Sequence, residues 1–445
     1  MTLHSTLNPT STTSWRDAVL RGLAPDGGLF LPTTLPTLSE GRRAHLATLT
    51  FPELASEISA LFLKDEVPVD LLKEISSAAF TFDLPMREIA PSTFILELFH
   101  GPTCAFKDFG ARFMSHLFRY FLGAEGAPLT VLVATSGDTG SAVANAFLDY
   151  SPNPRIKVAI LFPKGKVSVV QEKQMTTLGK NVSAFEVDGT FDDCQRLVKQ
   201  ALADNTLTKQ TPLTSANSIN IARLLPQMFY YIYAGLQLSR RPSYSAAPIF
   251  SIPSGNLGNI TGGLLASIIG LPVSQLIAAC NANAAFPHYL QNREQSGELS
   301  PQPSRETLSN AMDVGNPSNF SRIASLCKQQ ALDLPGIMSG FSISDAETLE
   351  CMTRCYSESG YVLDPHTAVG LRALELYREG NEACSSVPAI VLATAHPAKF
   401  SSVVEIAIGS APQIPQQLQG ALSAKGYKIS LDNCYDSLRQ QLLSL

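Results

Sequence analysis

A chain of 445 residues is too long for one compact core and suits two or three domains, and a hydrophobic share of 45% excludes extensive disorder. The formal net charge of −5 argues against nucleic-acid binding, which requires a basic surface. Eight cysteines without the dense spacing of a stapled scaffold fit a reducing compartment, so a cytoplasmic protein is expected.

The N-terminus, MTLHSTLNPTSTTSW, is polar and lacks the basic start and apolar run of a signal peptide. Residues 14–88 read as largely helical. APDGGLFLP, from Ala24 to Pro32, is a turn-rich extended piece, and the periodicity predicts helices around Phe51 to Leu63 and Val69 to Ser77. From Phe94 the pattern changes to short apolar runs, turns and helices in alternation. Strands are predicted at Thr130 to Ala134, Lys157 to Phe162, Asn181 to Val187, Pro248 to Ile252, QLIAAC and Ala389 to Thr394, most of them followed by a helix-like segment. Strand, loop and helix repeated this way imply a parallel sheet covered on both faces, an α/β architecture. The longest apolar stretch, Gly262 to Cys280, is broken by Gly270 and Pro272, so it reads as helix, turn and buried strand and not as a membrane span. A polar stretch from Leu238 to Pro248 is a candidate crossing between two sheets, and Gln291 to Arg305 reads as a mobile surface loop. The tail after Pro412 carries a short strand-like piece and a last helix. The expected division is a mainly helical region over 1–92, a smaller α/β domain over 93–240 and a larger one over 241–445.

Ligands of open parallel sheets gather at the carboxyl ends of the strands. In FHGPTCAFKDFGARF (Phe99 to Phe113), Lys107 is flanked by Phe106 and Phe109. An apolar setting lowers a lysine's pKa and frees its amine as a nucleophile for a carbonyl; the alternative is a solvated lysine at a helix start. SGDTG (Ser136 to Gly140) follows a strand and opens a helix, a place for an anion. In SGNLGN (Ser254 to Asn259), Gly255 and Gly258 permit close backbone approach, and Asn256 and Asn259 offer amide donors, a nest suited to phosphate. TAHPAKF (Thr394 to Phe400) ends a strand with a hydroxyl. Together these imply phosphate, carboxylate and carbonyl chemistry in one cleft, and neither GxxxxGK nor GxGxxG is present to favour a nucleotide. Arg112 either points into that cleft toward an anionic substrate or lies on the surface. His366 and His396 are either acid–base groups or structural residues. Cys351 and Cys355 share a helix face, but with no second pair of ligands they read as packing residues, and no metal site is expected.

Beyond these motifs, LRGLAPDGGLFLP (Leu20 to Pro32), ELFHGPTCAFKDFGARFM (Glu97 to Met114), ATSGDTGSAVANAF (Ala134 to Phe147) and PSGNLGNITGGLLA (Pro253 to Ala266) resemble the threonine synthase family of bacteria and fungi. So do LSNAMDVGNPSNF (Leu308 to Phe320), LDPHTAVG (Leu363 to Gly370) and ATAHPAKF (Ala393 to Phe400), so the resemblance covers nearly the whole chain. It implies a pyridoxal-phosphate enzyme of the tryptophan-synthase-β-like fold (fold type II), with the cofactor in a cleft between two α/β domains. On this resemblance Lys107 carries the cofactor as a Schiff base, and Gly255, Asn256, Leu257, Gly258 and Asn259 hold its phosphate. Thr394 faces the pyridine nitrogen, and Asp138 lies near the cofactor. Ser136 and Thr139 receive the substrate carboxylate. The released phosphate needs cationic or amide partners, expected from Arg112 with help from the Asn310–Asn319 region, Asn310 foremost. The implied reaction converts O-phospho-L-homoserine and water to L-threonine and phosphate.

Two departures bear on the substrate. Family members usually begin with Ser-Thr-Arg-Gly, whereas Ser5-Thr6 is followed here by Leu7-Asn8; and after Asn281–Asn283, where the family often has an aspartate and then an arginine, Ala284 and His288 stand. They keep open a phospholyase that releases a 2-oxo acid. A third expectation, a non-catalytic metabolite-binding protein on the same scaffold, requires that no cofactor be held.

Overall fold

Three sheets organise the computed structural model, which describes residues 1–123, 126–149, 151, 154–244, 246–296 and 299–445. The first is a small antiparallel sheet in which β1 (Leu3–Ser5) lies between β2 (Thr12–Thr13) and β3 (Phe30–Pro32). Helices follow it, as the periodicity predicts. In the helix Phe51–Leu63 the Glu53 carboxylate accepts from the Thr50 N–H at 2.8 Å, a capping box that fixes the first turn. Phe51, Leu54, Ile58 and Phe62 recur at helical spacing and are all buried. Phe51 meets Phe80 and Phe109 edge-on at 5.0 and 5.5 Å, so the helical region packs directly against the helix that begins at Lys107.

Next come β4 (Met86–Ala90), β5 (Thr93–Glu97), β6 (Leu129–Ala134), β7 (Ile156–Pro163), β8 (Val182–Val187) and β9 (Leu213–Ser215). They are followed by β10 (Ile249–Pro253), β11 (Gln275–Cys280), β12 (Met338–Ser342), β13 (Ala389–Ala393) and β14 (Ile429–Leu431). They form a six-stranded sheet in the order β12-β11-β10-β13-β5-β4 and a five-stranded sheet in the order β14-β8-β7-β6-β9. Every pair is parallel except β4 with β5. β6 and β10 are buried at every position, which explains why both read as unbroken apolar runs and not as alternating ones.

The expected division at 92 and 240 does not follow the sheets. β4 and β5 belong with β10–β13, where Ala393 pairs with Glu97, and β14 closes the edge of the smaller sheet against β8. The chain thus leaves the large sheet after β5, builds the small one, returns at β10 and crosses once more near its end. Pairing partners so distant in sequence leave no trace in local pattern. The loop expected over Gln291 to Arg305 is also different: the helix Ala285–Ser296 runs into it, residues 297–298 lie outside the described residues, and its far end is anchored by the Arg305 N–H donating to Asn283 Oδ1 at 2.7 Å. Among the described residues no helix is long and apolar enough to cross a membrane.

The last helix, Tyr435–Ser444, buries Leu438 among Cys194, Leu197 and Val198 under the small sheet. Leu438→Ala should therefore cost about 2–4 kcal/mol in denaturant unfolding. An unchanged midpoint would show that the tail lies outside the core.

Candidate active site

The carboxyl ends of β5, β6, β10 and β13 meet at one cavity, lined by Lys107, Asp138, Thr139, Gly255, Asn259 and Thr394 among others. The segment before Lys107 is tied to the end of β13: the Phe106 N–H donates to the Thr394 carbonyl at 2.8 Å, and the His396 N–H to the Cys104 carbonyl at 3.0 Å. Lys107 is thereby fixed as the first residue of the helix Lys107–Leu122, with Phe109 in the aromatic core beneath it. Only 13% of its side chain is exposed, and its Nζ lies 3.8 Å from Asp138 Oδ2. Burial pulls its pKa down to about 8, against the attraction of Asp138, and the charges of Lys399 and Arg223 act in the same downward sense.

The SGDTG turn is shaped from within. Thr135 Oγ1 accepts from the Gly137 and Gly140 N–H groups at 2.9 Å each, which places Asp138 at the start of the helix Asp138–Phe147. Gly137 sits at φ +129°, and a Cβ there would come within 2.3 Å of Gln171 Cδ, so only glycine serves. Asp138 is buried and accepts from Gln171 Nε2 at 2.9 Å and from Lys399 Nζ at 2.8 Å. Burial opposes its charge, but Lys399, Lys107 and His366 outweigh that and hold the carboxyl well below the usual carboxylate range.

After β10, Leu257 adopts the left-handed conformation (φ +59°) and starts the helix Gly258–Ile268. Gly255 lies against the segment from Arg305 to Asp313, since a Cβ on it would come within 2.7 Å of Met312 Cα. That segment is held by the end of β11. Asn281 Nδ2 donates to Asp313 Oδ1 at 2.9 Å, and Asn283 Nδ2 to the Arg305 carbonyl at 2.9 Å. Burial raises the Asp313 carboxyl to about 7 in spite of the hydrogen bonds it accepts from Thr307 and Asn281.

Lys107, Asp138, Ser136, Thr139, the whole run Gly255, Asn256, Leu257, Gly258 and Asn259, and Thr394 all line this one cavity. Asn310 lines a neighbouring cavity that shares Ser136, with its Nδ2 3.4 Å from Gln171 Oε1. Arg112 does not reach either. Five residues on from Lys107 is roughly 140° around a helix, and its guanidinium instead donates to the Ala78 and Ala79 carbonyls, both at 2.6 Å. There it satisfies the open carbonyls at the end of the helix Val69–Ala79.

His366 lines the cavity and His396 does not, and each has at least one ring nitrogen engaged by its neighbours. His366 Nδ1 contacts Asp364 Oδ1 at 2.9 Å, and its Nε2 accepts from the Ala311 N–H at 3.1 Å, which uses both ring nitrogens. His396 Nδ1 accepts from the Ala398 N–H at 3.1 Å, and burial lowers its pKa to about 4. Cys351 and Cys355 are buried free thiols in an apolar cluster. Residues absent from the sequence expectation are Lys399, Gln171 and Arg223, the last buried with Nη1 donating to the Ala216 carbonyl at 2.6 Å. Lys399 had a readable signal, because it too is a lysine set among Pro, Ala and Phe.

The profile "Threonine synthase N terminus" matches residues 2–80, "Pyridoxal-phosphate dependent enzyme" matches 88–391, and "Threonine synthase, C-terminal" matches 367–441. The chain is 42% identical over 418 residues to a threonine synthase of Escherichia coli K12, covering 94% of each. The chain belongs to the threonine synthase family. The crystal structure of threonine synthase from Escherichia coli superposes with a TM-score of 0.92 at 39% identity, covering all of both chains. A PLP-bound threonine synthase from Brucella melitensis gives 0.88 at 33% identity, covering 100% of this chain and 99% of that one. As a threonine synthase family member the chain is a pyridoxal-phosphate-dependent enzyme of fold type II that acts on a small-molecule substrate.

The residues present fit that cofactor. Asn259 Oδ1 accepts from the Tyr230 and Tyr231 hydroxyls at 2.6 and 2.7 Å, while its Nδ2 is buried with no hydrogen-bond partner among the described residues. An unpaired buried amide donor is costly, and a phosphate at the Gly255–Asn259 turn would satisfy it. Of the departures from the threonine synthase pattern, Leu7 lies exposed on the surface, and Ala284 is buried just before the helix Ala285–Ser296 that contains His288.

Asn259→Ala should weaken retention of pyridoxal phosphate at least tenfold, about 1.4 kcal/mol, as read from loss of near-visible absorbance on dilution. Retention equal to that of the unaltered chain would remove Asn259 from the phosphate site.

Proposed function

We propose that the chain converts O-phospho-L-homoserine and water to L-threonine and phosphate, with Lys107 as the catalytic residue. The observation that carries this reading is the convergence, in one cavity, of a buried amine and a glycine-lined turn with an unpaired amide donor. Lys107 would hold the cofactor covalently, the Gly255–Asn259 turn its phosphate, and Thr394 its pyridine nitrogen. When bound, pyridoxal phosphate supplies the electron sink that stabilises negative charge on substrate carbon.

The chain's own groups do the rest. Ser136 and Thr139, at the mouth of the SGDTG turn, receive the substrate carboxylate, where the start of the helix Asp138–Phe147 favours an anion. A Lys107 amine with a pKa lowered to about 8 can both accept and return a proton near neutrality, as needed at Cα and Cβ of the substrate. Thr394 presents a hydroxyl in place of a carboxylate, so it does not enforce a protonated ring. Asp138 stays ionised, its nearer oxygen 3.8 Å from the amine. Asn310 would meet the leaving phosphate, a reading supported by its sharing the adjoining cavity with Ser136 and Lys166.

Lys107→Ala should abolish turnover, by about 10³-fold or more, while the unfolding midpoint stays within a few degrees. Incubation of the enzyme with O-phosphohomoserine should release phosphate and threonine in equal amounts. Release of 2-oxobutyrate alone would assign the chain as a phospholyase, and turnover by the Lys107 variant would overturn the assignment.

A further inference from the structure

Lys399 has no role in the scheme above, yet its side chain is completely buried. It sits in the short turn Pro397–Phe400 after β13 and reaches to Asp138 at the carboxyl end of β6, so its contact bridges the two large sheets. Its Nζ lies 2.8 Å from Asp138 Oδ1 and donates to the Thr103 carbonyl, in the loop leading to Lys107, at 2.9 Å. Gln171 Nε2 donates to the same carboxylate oxygen at 2.9 Å. Lys107 is left with the other oxygen at 3.8 Å, beyond hydrogen-bond distance. One carboxylate thus faces two lysines, and the close contact goes to Lys399.

We propose that Lys399 is a positioning residue for Lys107: by occupying Asp138 it denies the Lys107 amine a tight ion-pair partner and keeps it available for reaction. The inference rests on Lys107 being the reactive amine. A neutral side chain at 399 would free Asp138 to close on Lys107, and a tight pair favours the protonated lysine. The surroundings agree in sign. Burial, Lys399 and Arg223 disfavour charge on Lys107, and Asp138 alone favours it. Asp138 also faces His366, whose ring nitrogens are engaged by Asp364 and Ala311. Beyond Asp138, Lys399 faces Asp108, the Cys104 thiol and His396.

The test is competitive labelling of the full-length chain, freed of bound cofactor, with trace acetic anhydride across pH 6–11, the Lys107 peptide being quantified by mass spectrometry. The unaltered chain should label with a midpoint of about 8. Lys399→Met should raise the midpoint by about one unit or more, a tenfold or greater loss of free amine at pH 7. Lys399→Arg, which keeps the charge, should return it to within about 0.3 units. The acidic limb of the kcat profile in the cofactor-loaded enzyme should move in the same direction. If Lys399→Met does not fold, Lys399→Gln replaces it, with the same rise expected. An unchanged midpoint in the neutral variant, or an equal shift in Lys399→Met and Lys399→Arg, would overturn the proposal. A midpoint near 10.4 in the unaltered chain would overturn the role of Lys107 itself, and needs no variant to be seen.

Discussion

The structure depends on how charge is kept out of water at one point. Asp138 and Lys399 are buried, Lys107 nearly so, and each would be expensive alone, since stranding one partner of a buried ion pair costs about 3–5 kcal/mol. That is a large part of the roughly 5–15 kcal/mol by which a domain is stable. The arrangement is tolerable because the close pair has further partners: Gln171 donates to Asp138, and the Thr103 carbonyl accepts from Lys399. A buried network of this kind holds positions rigidly, which suits the proposed role of Lys107 as the reactive amine.

Strand ends supply the rest of the precision. Four parallel strands deliver four different loops to the same place, and each loop is set by its own local device. Thr135 folds the SGDTG turn, Leu257 takes a left-handed conformation before the helix Gly258–Ile268, and the 104–106 segment is laced to 394–396 by backbone hydrogen bonds. Tyr230 and Tyr231 do for Asn259 what Gln171 does for Asp138, fixing one atom of the side chain so that the other faces a known direction. The segment carrying Ala311 and Met312 is placed by Asn281 and Asn283 at the end of β11, so even the far wall of the cavity is referenced to the sheet.

The sequence made the α/β alternation and the loops that meet at the cavity readable, because both are local: buried parallel strands are unbroken apolar runs, and glycine-rich turns follow them. What was not readable depended on rotation or distance. Arg112 was close to Lys107 in sequence but lies on another helix face, where two open carbonyls claim it. The two histidines looked like acid–base candidates, but both ring nitrogens of His366 and the Nδ1 of His396 are engaged. A contiguous domain division missed β5 and β14, whose partners β13 and β8 lie far away along the chain. Lys399 carried the same apolar surroundings as Lys107, yet only the fold shows that Asp138 joins the two.

The interleaving of the two large sheets has a consequence for biosynthesis. β5 emerges from the ribosome early but pairs with β13, and the edge of β8 stays open until β14, almost the last segment, has been made. Until then the nascent polypeptide displays an unpaired strand edge and the apolar patch later covered by Leu438 and Leu442. Chains that stop before Thr394 lack part of the cavity lining, and chains that stop before β14 present an open edge to chaperones or to aggregation.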